Sequence, residues 1–223
     1  MDDRDSFIKR FSPEVLKATN GIALLKLFAY PKKADDNLHQ QFGDLFEDNY
    51  DSLKIVLEKQ MKSFGSGNPG YDYNFILAYR DGAWHNFKTQ ITFKAAVKFA
   101  EYIKNELLEA ISYIEKDDFN GFYKYVSNST SGFFNKGYTH KYFYILYPKY
   151  FIHYHSGTWQ DYYQNSLGLP KTQNYYDIEK YYLEKYPGCN VGQKSRELEH
   201  DYGKPPKIQL PSGTETSITE EPI

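Results

Sequence analysis

The sequence has almost no cysteine and no long apolar run. Among its 223 residues the one cysteine is Cys189, which excludes an intramolecular disulfide and a zinc cage built from cysteines. No run of about 18 apolar residues occurs, so no membrane-spanning helix is predicted. Residues 1–5 are mostly acidic and no apolar run follows them, unlike a secretory signal peptide. We therefore expect a cytoplasmic protein with no membrane partner.

Motifs for nucleotide binding and catalysis are missing as well. The glycine-rich run 65–70 lacks the Lys-Ser/Thr ending of a phosphate-binding loop and precedes a predicted strand rather than a helix. The zinc-deaminase signature is absent, as is an acid pair with a lysine of the nuclease type. Cys189 has no histidine close in sequence to activate it. The sequence thus predicts a protein that is not an enzyme and uses no cofactor.

Two histidines at alternate positions, His153 and His155, leave one alternative open. In an extended segment both imidazoles would lie on one face, a spacing that can serve a metal. No third ligand at a usual spacing accompanies them, so roles in contacts or in the core are favoured and no metal is predicted. An enzyme with a metal at this pair stays as the minor hypothesis.

Aromatic residues are abundant, at 18% of the chain. Residues 121–187 contain about half of them, together with seven lysines against four acidic residues. Core packing explains much of such a surplus. Rings interleaved with cations are also what a nucleic-acid site uses, with rings for bases and cations for phosphates.

The hydrophobic pattern predicts an α+β fold that is mostly helical, with at least one antiparallel hairpin. Ser12 before Pro13 indicates a helix start, and Thr92 begins the clearest helix, which is predicted to reach residue 115. We expect this long helix to be the main scaffold and to bury Val97, Ala100, Ile103, Leu107 and Ile111. Further helices are predicted at 50–63, 118–126, 156–167 and 175–186, and residues 150–154 as a short extended piece. Asp81-Gly82 predicts a tight turn between two strands, the second carrying Trp84.

The expected domain organisation is simple. We predict one domain over residues 1–203, with a candidate internal boundary near 117–137. Residues 204–223 are rich in proline, glycine, serine, threonine and glutamate, which predicts a disordered polar tail.

Several stretches together resemble a known family. The first are Phe11–Leu16, the run Phe64–Gly67 and the strand Phe75–Arg80. More specific are Lys141–Phe151, which reads KYFYILYPKYF, and the short pieces that follow it: His155-Ser156, Trp159-Gln160 and Leu167-Gly168-Leu169. These resemble the N-terminal regions of McrB-like AAA+ restriction subunits, which carry a similar KYLxxLYPDKF stretch. Lys149 stands where the family has aspartate, and the family's GTPase motor has no counterpart in this sequence.

The resemblance implies a non-catalytic DNA-binding module of a restriction or anti-phage defence system. In that family the N-terminal region recognises DNA, often at a modified base, while an AAA+ motor and a nuclease subunit act as partners. The expected target is therefore DNA with a modified or flipped base. Aromatic candidates for the base pocket are Tyr73, Tyr79, Trp84, Tyr154 and Trp159. Candidates for phosphate contacts are Lys88, Lys136, Lys141, Lys149 and His153.

A second interpretation stays open beside DNA binding. The net charge of −2 and pI near 6.3 suit a protein-interaction domain that regulates assembly with a nuclease partner. A fall of DNA affinity with salt separates the two, because phosphate contacts release counterions.

Overall fold

The computed structural model describes residues 3–31, 77–80, 82–170 and 174–206, together with residues 52, 53, 56, 57, 61 and 64. Over these residues the fold is mostly helical with one small sheet, which confirms the predicted α+β class. Within the same residues, none of the helices combines the length and the apolar character needed to cross a lipid bilayer.

Three short helices open the chain: α1 (Asp3–Phe11), α2 (Pro13–Ala18) and α3 (Gly21–Phe28). The Ser12 side chain accepts a hydrogen bond from the first turn of α2 and Pro13 starts that helix, as predicted from the sequence. The left-handed backbone of Gly21, at φ 58°, then lets α3 start only two residues after α2 ends.

The sheet has the order β1-β2-β3-β4, made of β1 (Tyr30–Pro31), β2 (Leu77–Arg80), β3 (Ala83–Asn86) and β4 (Thr89–Ile91). The first pair is parallel and the other two are antiparallel. Arg80 pairs with Ala83, so the β2–β3 hairpin turns through two residues, and Gly82 there has φ 75°. The predicted hairpin carrying Trp84 is confirmed, while Asp81 itself lies outside the described residues.

The long helix α4 (Phe93–Glu115) is the scaffold against which α2, α3, β2, β3 and the next helix pack. Its start is capped by Thr92, whose hydroxyl accepts from the Ala95 N–H at 3.2 Å. The predicted buried residues Ala100, Ile103, Leu107 and Ile111 are confirmed. The prediction was wrong for Val97, which is half-buried, because the buried face is centred on Ala96 instead.

Five helices complete the described fold: α5 (Phe119–Asn128), α6 (Gly137–Leu146), α7 (Gly157–Ser166), α8 (Asp177–Lys185) and α9 (Val191–Tyr202). The helix α9 was not predicted. Residues 150–154, predicted as a short extended piece, form bends and contain no strand.

The core divides into two apolar clusters. The first, which we call the main cluster, joins α1–α6 and the sheet, and the buried residues Leu53, Val56, Leu57 and Met61 belong to it. Those four residues belong to the apolar face of the helix predicted at 50–63. Most of that predicted helix lies outside the described residues. The second, which we call the C-terminal cluster, consists of buried residues from the 152–154 loop, α7, α8 and α9. Of the predicted tail, residues 207–223 lie outside the described residues.

Candidate functional site

Two of the predicted aromatic site residues lie in the sheet. Tyr79 and Trp84 pair across the hairpin, with ring centroids 5.3 Å apart in an edge-on arrangement. Their side chains are 2% and 4% exposed, so in this conformation the rings are core residues that a ligand does not reach. Tyr73 lies outside the described residues.

The other predicted aromatic pair lies in the C-terminal cluster. Tyr154 and Trp159 stack face to face, with centroids 4.7 Å apart and planes 7° from parallel. Tyr154 is buried, whereas Trp159 is half-buried and keeps part of its ring at the surface. Next to them, His153 bonds through Nδ1 to the Ser195 hydroxyl at 2.8 Å, and burial lowers the pKa of this histidine.

The predicted phosphate-binding lysines separate into three environments. Lys141 is 2% exposed, and burial lowers its pKa to about 8, so a phosphate would meet its ammonium only after the side chain left the core. Lys149 is exposed but already pairs with Asp117, at 3.7 Å. Lys88 is exposed and follows Phe87, whose ring lies 5.7 Å from the Lys136 ammonium. We call Lys136 and Lys88, the residue that follows the ring next to Lys136, the basic edge.

His140, His155 and Glu179 form a buried chain of polar contacts that was not predicted from the sequence. His140 on α6 contacts His155 through the two Nδ1 atoms at 2.8 Å, and contacts Glu179 on α8 through Nε2 at 2.7 Å. The Nε2 atom of His155 lies 2.9 Å from the Phe64 carbonyl, and the Ile152 N–H donates to Glu179 at 3.0 Å. All three of His140, His155 and Glu179 are fully buried.

The partners of this chain restrict where its protons can be. Because a carbonyl only accepts, His155 must carry a proton on Nε2, and burial beside His140 lowers the pKa of His155 far enough to keep it neutral. Its Nδ1 therefore accepts from His140 Nδ1–H. One more proton lies between His140 and Glu179, either as an ion pair or as two neutral groups. The chain is electrically neutral in both cases, which suits its burial.

This geometry does not favour the metal that was considered for His153 and His155. His153 turns to Ser195, whereas both nitrogens of His155 already have partners. Glu179 contacts the nitrogen of His140 that faces away from His155, so the three groups form a line rather than converge on one point. Over the described part of the chain, no group of three potential ligands is placed to hold a metal ion.

A pocket of about 300 Å³, which we call the amide pocket, opens beside this buried chain. One wall is a face of α7, where Gly157, Gln160, Asp161 and Gln164 recur at helical spacing. The other residues that line the pocket are Asn135, Asn174 and Tyr175. Asn135 immediately precedes Lys136, so the basic edge borders the pocket.

The two glutamines tie the pocket to the buried chain. The Gln160 amide nitrogen donates to the Tyr154 carbonyl at 2.7 Å and lies 3.5 Å from His140. The Gln164 amide nitrogen donates to the Asn174 carbonyl at 3.0 Å. The amide pocket was not predicted from the sequence, although the polar residues Gln160, Asp161 and Gln164, at i, i+1 and i+4 of a predicted helix, were a usable signal.

Comparison with protein-family models, with curated protein sequences and with solved structures finds no match to this chain.

Proposed function

We propose that this chain is a non-catalytic DNA-binding module of a restriction or anti-phage defence system, and that it accepts one base, including a modified or flipped base, in the amide pocket. The observation that supports this most is the position of the pocket, which lies within the aromatic and basic segment 121–187 and beside Lys136. A pocket of about 300 Å³ is at the lower end of the range for small ligands and is large enough for a base.

The charges around the pocket favour a DNA base inside it and the DNA phosphates outside it. Asp161 is exposed on the pocket wall, and its carboxylate repels phosphate. Lys88 and Lys136, the basic edge, are not part of the pocket lining, and their charges attract phosphate. A strand running past the basic edge would therefore keep its phosphates on the lysines while one base enters the pocket.

The module would supply recognition only. By the family resemblance, its partners are an AAA+ motor and a nuclease subunit, which perform the mechanical and cleavage steps. The groups in the amide pocket are amides, one carboxylate and one phenol, with Lys136 outside it.

Replacing Lys88 and Lys136 together by alanine tests the proposal. We expect weaker binding to all DNA sequences alike, and a salt slope of log Kd that falls by about one for each lost phosphate contact. Fluorescence anisotropy of labelled duplex and single-stranded DNA between about 50 and 200 mM salt measures both. The control is Lys17→Ala, an exposed lysine on α2. Unchanged affinity of the double variant at low salt would contradict the proposal.

One observation favours the second candidate function, protein interaction. A groove of about 540 Å³ runs between α4 and α5, lined by Tyr102, Tyr113 and Tyr125. In this groove Glu106 accepts hydrogen bonds from the hydroxyls of Tyr125, at 2.9 Å, and Ser129, at 3.0 Å. Tyrosine is enriched at protein interfaces, where its ring packs and its hydroxyl bonds. If the chain binds no DNA at low salt, this groove becomes the leading candidate interface.

A further inference from the structure

We infer that the amide pocket selects a base that carries an exocyclic amino group, as adenine and cytosine do, over thymine. The inference rests on the proposed function, since it assigns the specificity of the same pocket. Its basis is an inventory of the hydrogen-bonding groups that the pocket wall leaves unused.

Each of the two buried glutamines has an unused acceptor, its amide oxygen, whereas its amide nitrogen already donates to a backbone carbonyl. Each amide nitrogen faces a backbone carbonyl, of Tyr154 or of Asn174, so the orientation of each amide is fixed by its partner. Gln160 and Gln164 are each 2% exposed, and the oxygen of neither has a hydrogen-bond partner among the described residues. A buried polar atom left without a partner costs about 1–3 kcal/mol, which a donor from a ligand would recover.

Asp161 extends the same pattern to the pocket surface. Its carboxylate accepts hydrogen bonds and cannot donate them when ionised. It lines the same pocket as Tyr175, and its charge adds to burial in raising the pKa of that phenol. Asn135, which also lines the pocket, is exposed, and its amide can turn to donate or to accept.

An acceptor-rich wall distinguishes the bases by their edges. Adenine and cytosine present an amino group with two N–H donors, whereas thymine presents carbonyl oxygens there. An amino group would donate first to Asp161, which is open to solvent. The glutamine oxygens have almost no exposed surface, so a slight opening of the wall precedes their contact with the base. Thymine would place oxygen against oxygen and leave the acceptors unsatisfied.

The test uses single-stranded thymine oligonucleotides that differ at one central base. The central base is adenine, purine without the amino group, or thymine, and anisotropy gives the three Kd values. We expect the adenine oligonucleotide to bind about fivefold or more tightly than the purine oligonucleotide, because one good base contact supplies that much discrimination. Asp161→Asn and Gln164→Met should each reduce this ratio. The matched control Asp5→Asn, at an exposed carboxylate of α1, should preserve it.

The outcomes separate this inference from the proposed function. Equal, salt-dependent binding of all three oligonucleotides would overturn the amino-group selection and leave DNA binding standing. If none of the oligonucleotides binds, the proposed function fails. NMR titration with deoxyadenosine and with purine deoxyriboside then tests whether the pocket still selects the amino group. Chemical-shift changes at Gln160 and Gln164 with deoxyadenosine but not with purine deoxyriboside would support the selection. Equal changes with the two nucleosides, or no change with either, would overturn it.

Discussion

His155 has both of its nitrogens committed, to Phe64 and to His140, and it is fully buried. A second proton on this ring would put a charge in the core. It would also place that charge beside His140, Lys141 and His153, all of which further lower the pKa of His155. The surroundings of this one residue therefore favour the neutral ring.

We predict a loss of stability on mild acidification that originates at His155. Its pKa is lowered in the folded state, so the unfolded chain binds a proton that the folded chain does not. The free energy of unfolding should therefore fall as the pH drops below about 6.5, by up to about 1.4 kcal/mol per pH unit. Urea unfolding between about pH 7.5 and 5.5 measures this dependence.

Two variants test whether His155 causes this pH dependence of stability. His155→Gln retains a donor for the Phe64 carbonyl and removes the titration, so its stability should depend less on pH. His200→Gln, at an exposed histidine of α9, should behave like the unaltered chain. Equal pH dependence in His155→Gln and in the unaltered chain would show that another group is responsible.

At the scale of the elements, α6 and the 151–155 segment approach each other closely at Gly137. A β-carbon placed at Gly137 would overlap the carbonyl oxygen of His155, a backbone atom that cannot turn away. The glycine therefore allows the close approach that brings His140, one turn further along α6, to His155.

Gly137→Ala should destabilise the fold by about 1–3 kcal/mol, because α6 or the 151–155 segment must shift to admit the methyl group. Thermal unfolding followed by circular dichroism measures the change. The matched control is Gly157→Ala at the start of α7, where the nearest atom is the Tyr175 hydroxyl, the end of a side chain, at 3.3 Å. A melting temperature that falls equally in both variants would mean that the contact with His155 does not set the cost.

Local chemistry explains which elements were predictable. The cap at Ser12, the cap at Thr92 and the turn at Gly82 each depend on neighbouring residues, and each was found from the sequence. The helix α9 was missed because its sequence, VGQKSRELEHDY, has few apolar residues to mark a buried face. It is held instead by contacts with distant residues, such as the bond from Val191 N–H to the Lys149 carbonyl at 2.7 Å.

The candidate site was predictable only in outline. The segment 121–187 was selected for its many aromatic residues, and most of these rings pack in the two clusters. Which rings stay accessible depends on tertiary packing, so Tyr79 and Trp84 could not be distinguished from Trp159 by residue type. His140 meets Glu179 and His155 across 39 and 15 residues, and no local pattern indicates such a pairing.

At the scale of the molecule, the polar chain connects the two clusters, and Leu183 packs against both of them. Trp84 belongs to the main cluster, and Trp159 packs against the C-terminal cluster. The chain thus has one natural reporter in each.

We predict that both clusters unfold in one transition. In Trp159→Phe, fluorescence reports on the main cluster, and in Trp84→Phe on the C-terminal cluster. Within each variant, the fluorescence midpoint in urea should coincide with the midpoint from circular dichroism. Fluorescence that leads or lags circular dichroism in either variant would instead reveal two cooperative units, with their boundary near residue 152 rather than at 117–137.

The contacts of α1 have a consequence for synthesis of the chain. Arg4 donates to the Ile145 carbonyl at 2.8 Å, and the Tyr142 hydroxyl donates to the Phe11 carbonyl at 2.9 Å, so α1 docks on α6 across more than 130 residues. At typical translation rates, roughly 7–30 s separate the emergence of the two helices from the ribosome. Throughout that interval the aromatic face of Phe7 and Phe11 lacks its partner on α6. The packing of α1 is therefore completed only after α6 has emerged, and until then we expect its two rings to be accessible to chaperones.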